Sequence, residues 1–161
     1  LTIKELMKTN GIGEAKAITI TAALELGRRR QSWDVKKEVI KSSADIADYL
    51  QARLKDKAHE VFAVAFLNRA NKVNHFEIIS EGGITGTVAD PRIILKKALE
   101  HNAVQIVLCH NHPSGSLKPS RADETITRNI KQAAALLDIT VMDHIIVSDE
   151  GYYSFADEGI L

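Results

Sequence analysis

The chain has 161 residues, enough for one ordinary domain and a small appendage. Hydrophobic residues make up 45%, which supplies a core and excludes a disordered or collagen-like chain. Lysine plus arginine and aspartate plus glutamate each number 21, so a zero net charge gives the body as a whole no means of holding nucleic acid or an anionic membrane. Cys109 is the single cysteine, which rules out an intrachain disulfide and a thiolate-rich zinc cluster and favours a reducing, cytoplasmic setting. No apolar run nears the roughly 18 residues of a membrane span, and no signal-peptide pattern opens the chain. The chain begins at Leu1 inside a helix-like pattern, so a fragment of a longer protein is expected.

Residues 1–30 read as a short helical hairpin. Leu1, Ile3, Leu6 and Met7 supply apolar positions before a break at Asn10, Gly11, Ile12 and Gly13. A second helix is predicted over 14–30, with Ile18, Ala22 and Leu26 recurring on one face and Arg28, Arg29 and Arg30 at its end. The mixed polar stretch that follows predicts a linker on which Trp33 packs. The expected division is a helical element over 1–31, a linker over 32–41 and a main domain over 42–161.

Ser43 is the expected N-cap of a helix through Ile46, Tyr49, Leu50 and Leu54. Residues 61–67 are almost wholly apolar and predict a buried strand. After a turn at 68–72, residues 73–80 pair back as a second strand. Gly82, Gly83 and Gly86 break the chain, and Asp90-Pro91 starts another helix with a capping residue before a first-turn proline. Residues 104–109 predict a further buried strand running into His110. Pro119-Ser120 opens a helix through Ile126, Ile130 and Leu137, and strands follow at 140–147 and 152–155. Hairpins alternating with helices predict an α+β class with a mixed sheet, layered α-β-α.

His110 and His112 stand two apart at a strand end, so both side chains fall on one side of the chain. Two imidazoles there can share one ion at about 2 Å from each nitrogen. Pro113 and Gly115 turn the chain at once, and Cys109 is expected to point the other way, into the core. Asp123 lies in the first turn of the following helix and can face back to the pair. Two histidines and one aspartate leave a fourth tetrahedral position open, as in catalytic rather than structural zinc sites. Such an ion activates water and polarises a carbonyl. Glu60 sits just before the strand over 61–67, at the sheet edge expected to hold the histidines, and is assigned as the general base. Glu81, beside Gly82, is the rival. Ser120 is assigned to the oxyanion. The spacing Ser120-x-x-Asp123 also spells a helix capping box, so Asp123 can serve the helix and the ion together.

From His110 the pattern is H-x-H, seven residues, S, two residues, D, with an upstream glutamate. It resembles the JAMM motif of MPN-domain metallohydrolases. With Glu60-Val61-Phe62, Phe66-Leu67-Asn68, HNHPSG, PSRAD, Asp143-His144 and Tyr153-Ser154-Phe155, the chain resembles the bacterial RadC family over about 42–161, and over the Gly-x-Gly hairpin before it. The resemblance implies an MPN fold, one zinc ion per chain, and hydrolysis of peptide or isopeptide bonds. It places the base at Glu60 rather than Glu81. It also carries a DNA-repair label, so the alternative is a DNA-repair-associated or partner-binding protein whose MPN domain is not used catalytically. Asn111 departs from the serine or threonine found between the histidines of many eukaryotic JAMM proteins. Gly11, Gly13 and Lys16 resemble half of a helix-hairpin-helix element, which implies weak, sequence-independent DNA contact. His144 is expected to be a satisfied core histidine, and His59, His75 and His101 surface residues.

Overall fold

A computed structural model of the chain describes residues 2–37, 39–54, 57–82 and 89–161, with the backbone alone over 29–37. The readings made on Leu1, Gly83, Gly86 and the side chains of Arg29, Arg30 and Trp33 lie outside the described residues.

Helix α1 covers Ile3–Leu6 and α2 covers Glu14–Lys37. Between them Gly11 has φ 84°, a left-handed value that costs glycine nothing. One expectation fails here. Helix α2 does not end at Arg30 but runs through most of the expected linker, because residues 29–37 hold neither glycine nor proline to stop it. The face bearing Ile18, Ala22 and Leu26 is exposed, Ile18 at 48% and Leu26 at 67%. The helix packs on α3 (Ser43–Leu54) and buries Ala17 completely and Thr21 in part. Its larger apolar residues, Ile18, Ile20, Leu24 and Leu26, are spread around the helix and exposed, while the small Ala17 is buried.

The cap of α3 is one residue earlier than expected. Asp45 N–H donates to Ser42 Oγ at 3.3 Å and Ser42 N–H donates to Asp45 Oδ2 at 3.0 Å, a reciprocal capping box built on Ser42, not Ser43. Then come β1 (Val61–Leu67), β2 (Val73–Glu81), α4 (Pro91–Glu100), β3 (Gln105–Asn111), α5 (Arg121–Ala135), β4 (Thr140–Ser148) and β5 (Gly151–Ser154). The strand order is β2-β1-β3-β4-β5. Strands β3 and β4 run parallel and the other neighbours antiparallel, so the sheet is mixed.

Helices cover both faces. On one, Ile46, Leu50 and Leu54 of α3 pack on Ala63, Val107, Cys109 and Ile145. On the other, Ile94 and Ala98 of α4 and Ile130 and Ala134 of α5 pack on Phe62, Val64, Phe66 and Leu108. The apolar run of β1 follows from burial on both faces. Cys109 lies on the α3 side, as expected.

The topology gathers three segments at one sheet end. Strand β1 runs antiparallel to β3 with Phe62 opposite His110, so the residue before β1 lies beside the end of β3. A parallel β3–β4 pair needs a crossover, and α5 supplies it. The first turn of α5 therefore follows directly from the end of β3.

Candidate metal centre

His110 is the last residue but one of β3 and is 1% exposed. His112 follows the strand but stays in the ladder, its N–H donating to Val147 O at 2.9 Å. Gly115, at φ 84°, then turns the chain, its N–H donating to His112 O at 3.0 Å. The two Nε2 atoms lie 2.8 Å apart, and Asp123 Oδ1 lies 3.4 Å from His110 Nε2. All three possible ligand atoms fall within 4.8 Å of one another.

Asp123 divides its oxygens. Oδ2 accepts from Ser120 N–H at 2.6 Å, while Asp123 N–H donates to Ser120 Oγ at 3.2 Å, which completes the capping box of α5. Oδ1 faces His110. The helix cap thus aims the carboxylate at the histidines.

Hydrogen bonds around the pair fix where the protons sit. His112 Nδ1 lies 2.6 Å from Ser116 O, which can only accept, so Nδ1 carries the hydrogen and the neutral ring has a bare Nε2. Thr127 Oγ1 donates its single hydrogen to Asp123 O at 2.6 Å, so it accepts from His144 Nδ1 at 2.5 Å. Neutral His144 then has a bare Nε2, which accepts from His110 Nδ1 at 2.8 Å. His110 Nε2 is left bare in turn. Burial holds both rings neutral: it pushes His110 down to about 4, with the Asp123 charge opposing and His112 adding, and it drives His144 well below its usual value. In this tautomer the Nε2 atoms of His110 and His112 converge with Asp123 Oδ1, and two lone pairs 2.8 Å apart require a shared cation, a metal ion or a proton, between them. That donor set fits a divalent transition ion, for which neutral imidazole and carboxylate are the common ligands and zinc the leading candidate.

Glu60 is half-buried beside this cluster. Burial raises its carboxyl above the usual value; His112 opposes the shift and the Asp123 charge reinforces it. Glu81 sits differently. It is exposed, its side chain 58% open, and it pairs with Lys57 at 3.3 Å. Ser120 is exposed at the rim of the cluster.

The departure at Asn111 has a structural role. This side chain is buried on the face opposite the histidines' cluster. Its Oδ1 accepts from Val61 N–H at 2.7 Å, and its Nδ2 donates to His59 O at 3.1 Å and Lys57 O at 3.3 Å. Asn111 thus ties the segment on either side of Glu60 to the strand that carries the ligands. Sequence reasoning assigned no such role to Asn111, Thr127 or His144. A signal was present for Thr127, which stands four residues after Asp123 on the same helix face.

Other expectations fare unevenly. His144 is a core histidine with both nitrogens bonded, and His59 is exposed. His75 and His101 are not loose surface residues: their rings stack 3.8 Å apart, partly buried. Lys16 Nζ donates to Gly11 O at 3.0 Å, so the lysine folds back on the hairpin backbone. A cleft of about 800 Å³ adjoins the centre on the His112 side, between Thr21 and Leu24 of α2 and the Pro113–Gly115 turn; His110, Asp123 and Glu60 do not line it.

An α-β-α domain with a strand-end histidine pair facing a helix-start aspartate is the class defined here. The family model described as RadC-like JAB domain matches residues 40–160, which contain the whole sheet and the cluster. The chain belongs to this RadC-like JAB family. It is similar to a "UPF0758 protein" of Flavobacterium johnsoniae, 48% identical over 161 residues, 99% of this chain and 70% of that protein. A "UPF0758 protein" of Nitrosococcus oceani is 44% identical over 160 residues, 99% of this chain and 71% of its own. One from Streptococcus sanguinis is 41% identical over 159 residues, 98% and 70%. Among the described residues no helix is long and apolar enough to cross a membrane.

Proposed function

We propose that the chain is a zinc-dependent hydrolase of the JAMM type that cleaves peptide or isopeptide bonds. One observation carries the reading: two Nε2 atoms 2.8 Å apart, with Asp123 Oδ1 at 3.4 Å from His110, at a sheet end where His112 lines a cleft. His110, His112 and Asp123 would hold the ion. A zinc ion there supplies Lewis acidity, lowering the pKa of a bound water to about 7 and polarising a carbonyl.

The protein's own groups do the rest. Glu60, its carboxyl raised by burial, accepts a proton from the attacking water and delivers it to the leaving nitrogen. Ser120 Oγ accepts from Asp123 N–H and keeps its own hydrogen to donate to the oxygen of the attacked carbonyl. The cleft beside His112 gives an extended peptide a place to lie.

Zinc content and turnover test this together. His112→Ala and Asp123→Ala should each lose about one zinc per chain while the fold persists. Glu60→Gln should keep that zinc, and lose about a hundredfold or more in turnover of an isopeptide or peptide library. Glu81→Gln should turn over like wild type. Equal zinc in wild type and both ligand variants would reject the centre and favour the partner-binding reading.

A further inference from the structure

A second group of ligand-type side chains lies well away from the first. Strand β2 carries His75 and Glu77 two residues apart, so both fall on one face. His101 caps the C-terminus of α4 and meets them from the helix side. Phe66 lies opposite His75 in the β1–β2 ladder, as Phe62 lies opposite His110 in the β1–β3 ladder. Four residues along β1 separate the two groups by about 13 Å, at about 3.3 Å per residue.

We propose that His75, Glu77 and His101 form a second divalent-metal site, a two-histidine, one-carboxylate set that takes zinc. The geometry is that of ligands around a gap. Glu77 Oε2 lies 3.6 Å from His75 Nε2 and 3.7 Å from His101 Nε2, beyond the roughly 2.7–3.2 Å of a good N–H···O bond. Ligand atoms around a tetrahedral zinc with bonds of about 2.0–2.1 Å sit about 3.3 Å apart, a few tenths of an ångström less than the two Glu77–histidine distances. All three ligand atoms fall within 4.8 Å of one another.

The surroundings bring the set together. The rings stack at 3.8 Å, 25° from parallel, and must tilt apart to turn both Nε2 atoms on one ion; they rest on Phe66, centroids 6.1 and 5.4 Å away, a side chain that is fully buried. Glu77 divides its oxygens as Asp123 does. Oε1 pairs with Lys97 Nζ at 3.0 Å, and Oε2 is turned to the histidines. Burial pushes the Glu77 carboxyl up, but Lys97, His75 and His101 together hold it below its usual value. An ion here would join the edge strand β2 to the end of α4, with its fourth position left to water.

Metal-stripped full chain, dialysed against zinc chloride, tests the site. Wild type should bind two zinc ions per chain, His112→Ala one, His101→Ala one, and the double variant none. Glu77→Gln, which keeps the side-chain shape and so guards against misfolding by His101→Ala, should weaken the second uptake at least tenfold. On zinc addition to His112→Ala, the ring resonances of His75 and His101 should shift together. If His112→Ala binds no zinc, or binds it equally with and without His101 and Glu77, the site does not exist. If wild type binds one ion that His101→Ala loses and His112→Ala keeps, this site stands and the centre at His110 falls.

Discussion

His110 Nδ1 and His144 Nε2 lie 2.8 Å apart in the sheet interior, and the hydrogen between them belongs to His110. Thr127 sets that assignment from the far side, by giving its own hydrogen to Asp123 O and accepting from His144 Nδ1. The chain of donors therefore begins at a proposed ligand histidine, His110, and ends on the backbone of the proposed ligand aspartate, Asp123. Such partners orient a ligand ring and fix its tautomer, and their loss typically costs 10–100-fold in metal affinity.

Thr127→Val should then weaken zinc binding at His110 about tenfold or more, since valine keeps the shape but neither accepts nor donates. Thr127→Ser should restore it. The valine variant also strands a buried His144 N–H, at a cost of about 1–3 kcal/mol. Nitrogen chemical shifts separate the two effects: in wild type His110 should appear as the Nδ1–H tautomer, and in Thr127→Val as a mixture. A valine variant with wild-type zinc affinity and a pure tautomer would remove Thr127 from the chain.

The same burial predicts how the metal-free protein responds to acid. His144 and His110 are both held neutral, with folded values depressed, His110 to about 4. The unfolded chain takes up these protons below about pH 6.5, while the folded chain resists. Their contribution to stability is thus complete above pH 6.5 and is lost as pH falls toward 4. Asp143, whose carboxyl burial raises, acts in the opposite sense, and it is common to wild type and variant. With chelator present, the melting temperature of His144→Phe should fall less steeply between pH 6.5 and 4.5 than that of wild type. Parallel slopes would mean that His144 is protonated in the native state.

Much of this was legible in the sequence because the patterns were strong. The strand over 61–67 was read to the residue, since an unbroken apolar run between polar neighbours has few alternatives. The cluster was legible because period-two spacing, a Gly/Pro turn and a capping box coincide on one loop. What escaped was what long-range packing decides. The one fully buried side chain described on α2 is Ala17, a residue with little weight in a hydrophobic pattern. The end of α2 escaped because polar residues 31–37 read equally as linker or as exposed helix. His75 and His101 looked like isolated surface residues because a strand and a helix end meet only in three dimensions. Asn111 looked like a substitution between ligands, and its partners lie 50 to 54 residues away.

Ser120 has two separable tasks. As N-cap of α5 it accepts from Asp123 N–H, and its hydroxyl hydrogen is proposed to meet the carbonyl oxygen under attack. Ser120→Ala should cost about 1 kcal/mol of stability, the usual price of a lost cap, and lower turnover about a hundredfold. Ser120→Asn should return most of the stability, because asparagine caps as well as serine. Turnover should recover only with Ser120→Thr, which keeps a hydroxyl. Denaturant melts and rates compared at equal folded fraction separate the two. An asparagine variant with full activity would show that the hydroxyl acts only as a cap.

Asn111 offers the sharpest separation of base from metal. Its side chain holds Val61 N–H on one side of Glu60 and the carbonyls of Lys57 and His59 on the other, while pointing away from the ion. Asn111→Ala strands the buried Val61 N–H, at a cost of about 1–3 kcal/mol, and releases the segment that sets the position of Glu60. Zinc at His110, His112 and Asp123 should be retained, since no ligand is touched. Turnover should drop, approaching that of Glu60→Gln, because a base displaced by about 1 Å from its proton can lose on the order of a hundredfold. The effects of Asn111→Ala and Glu60→Gln should not add, since the second change removes a base that the first has already misplaced. Full additivity in the double variant, at equal zinc content, would show that Asn111 acts on activity by a route other than Glu60.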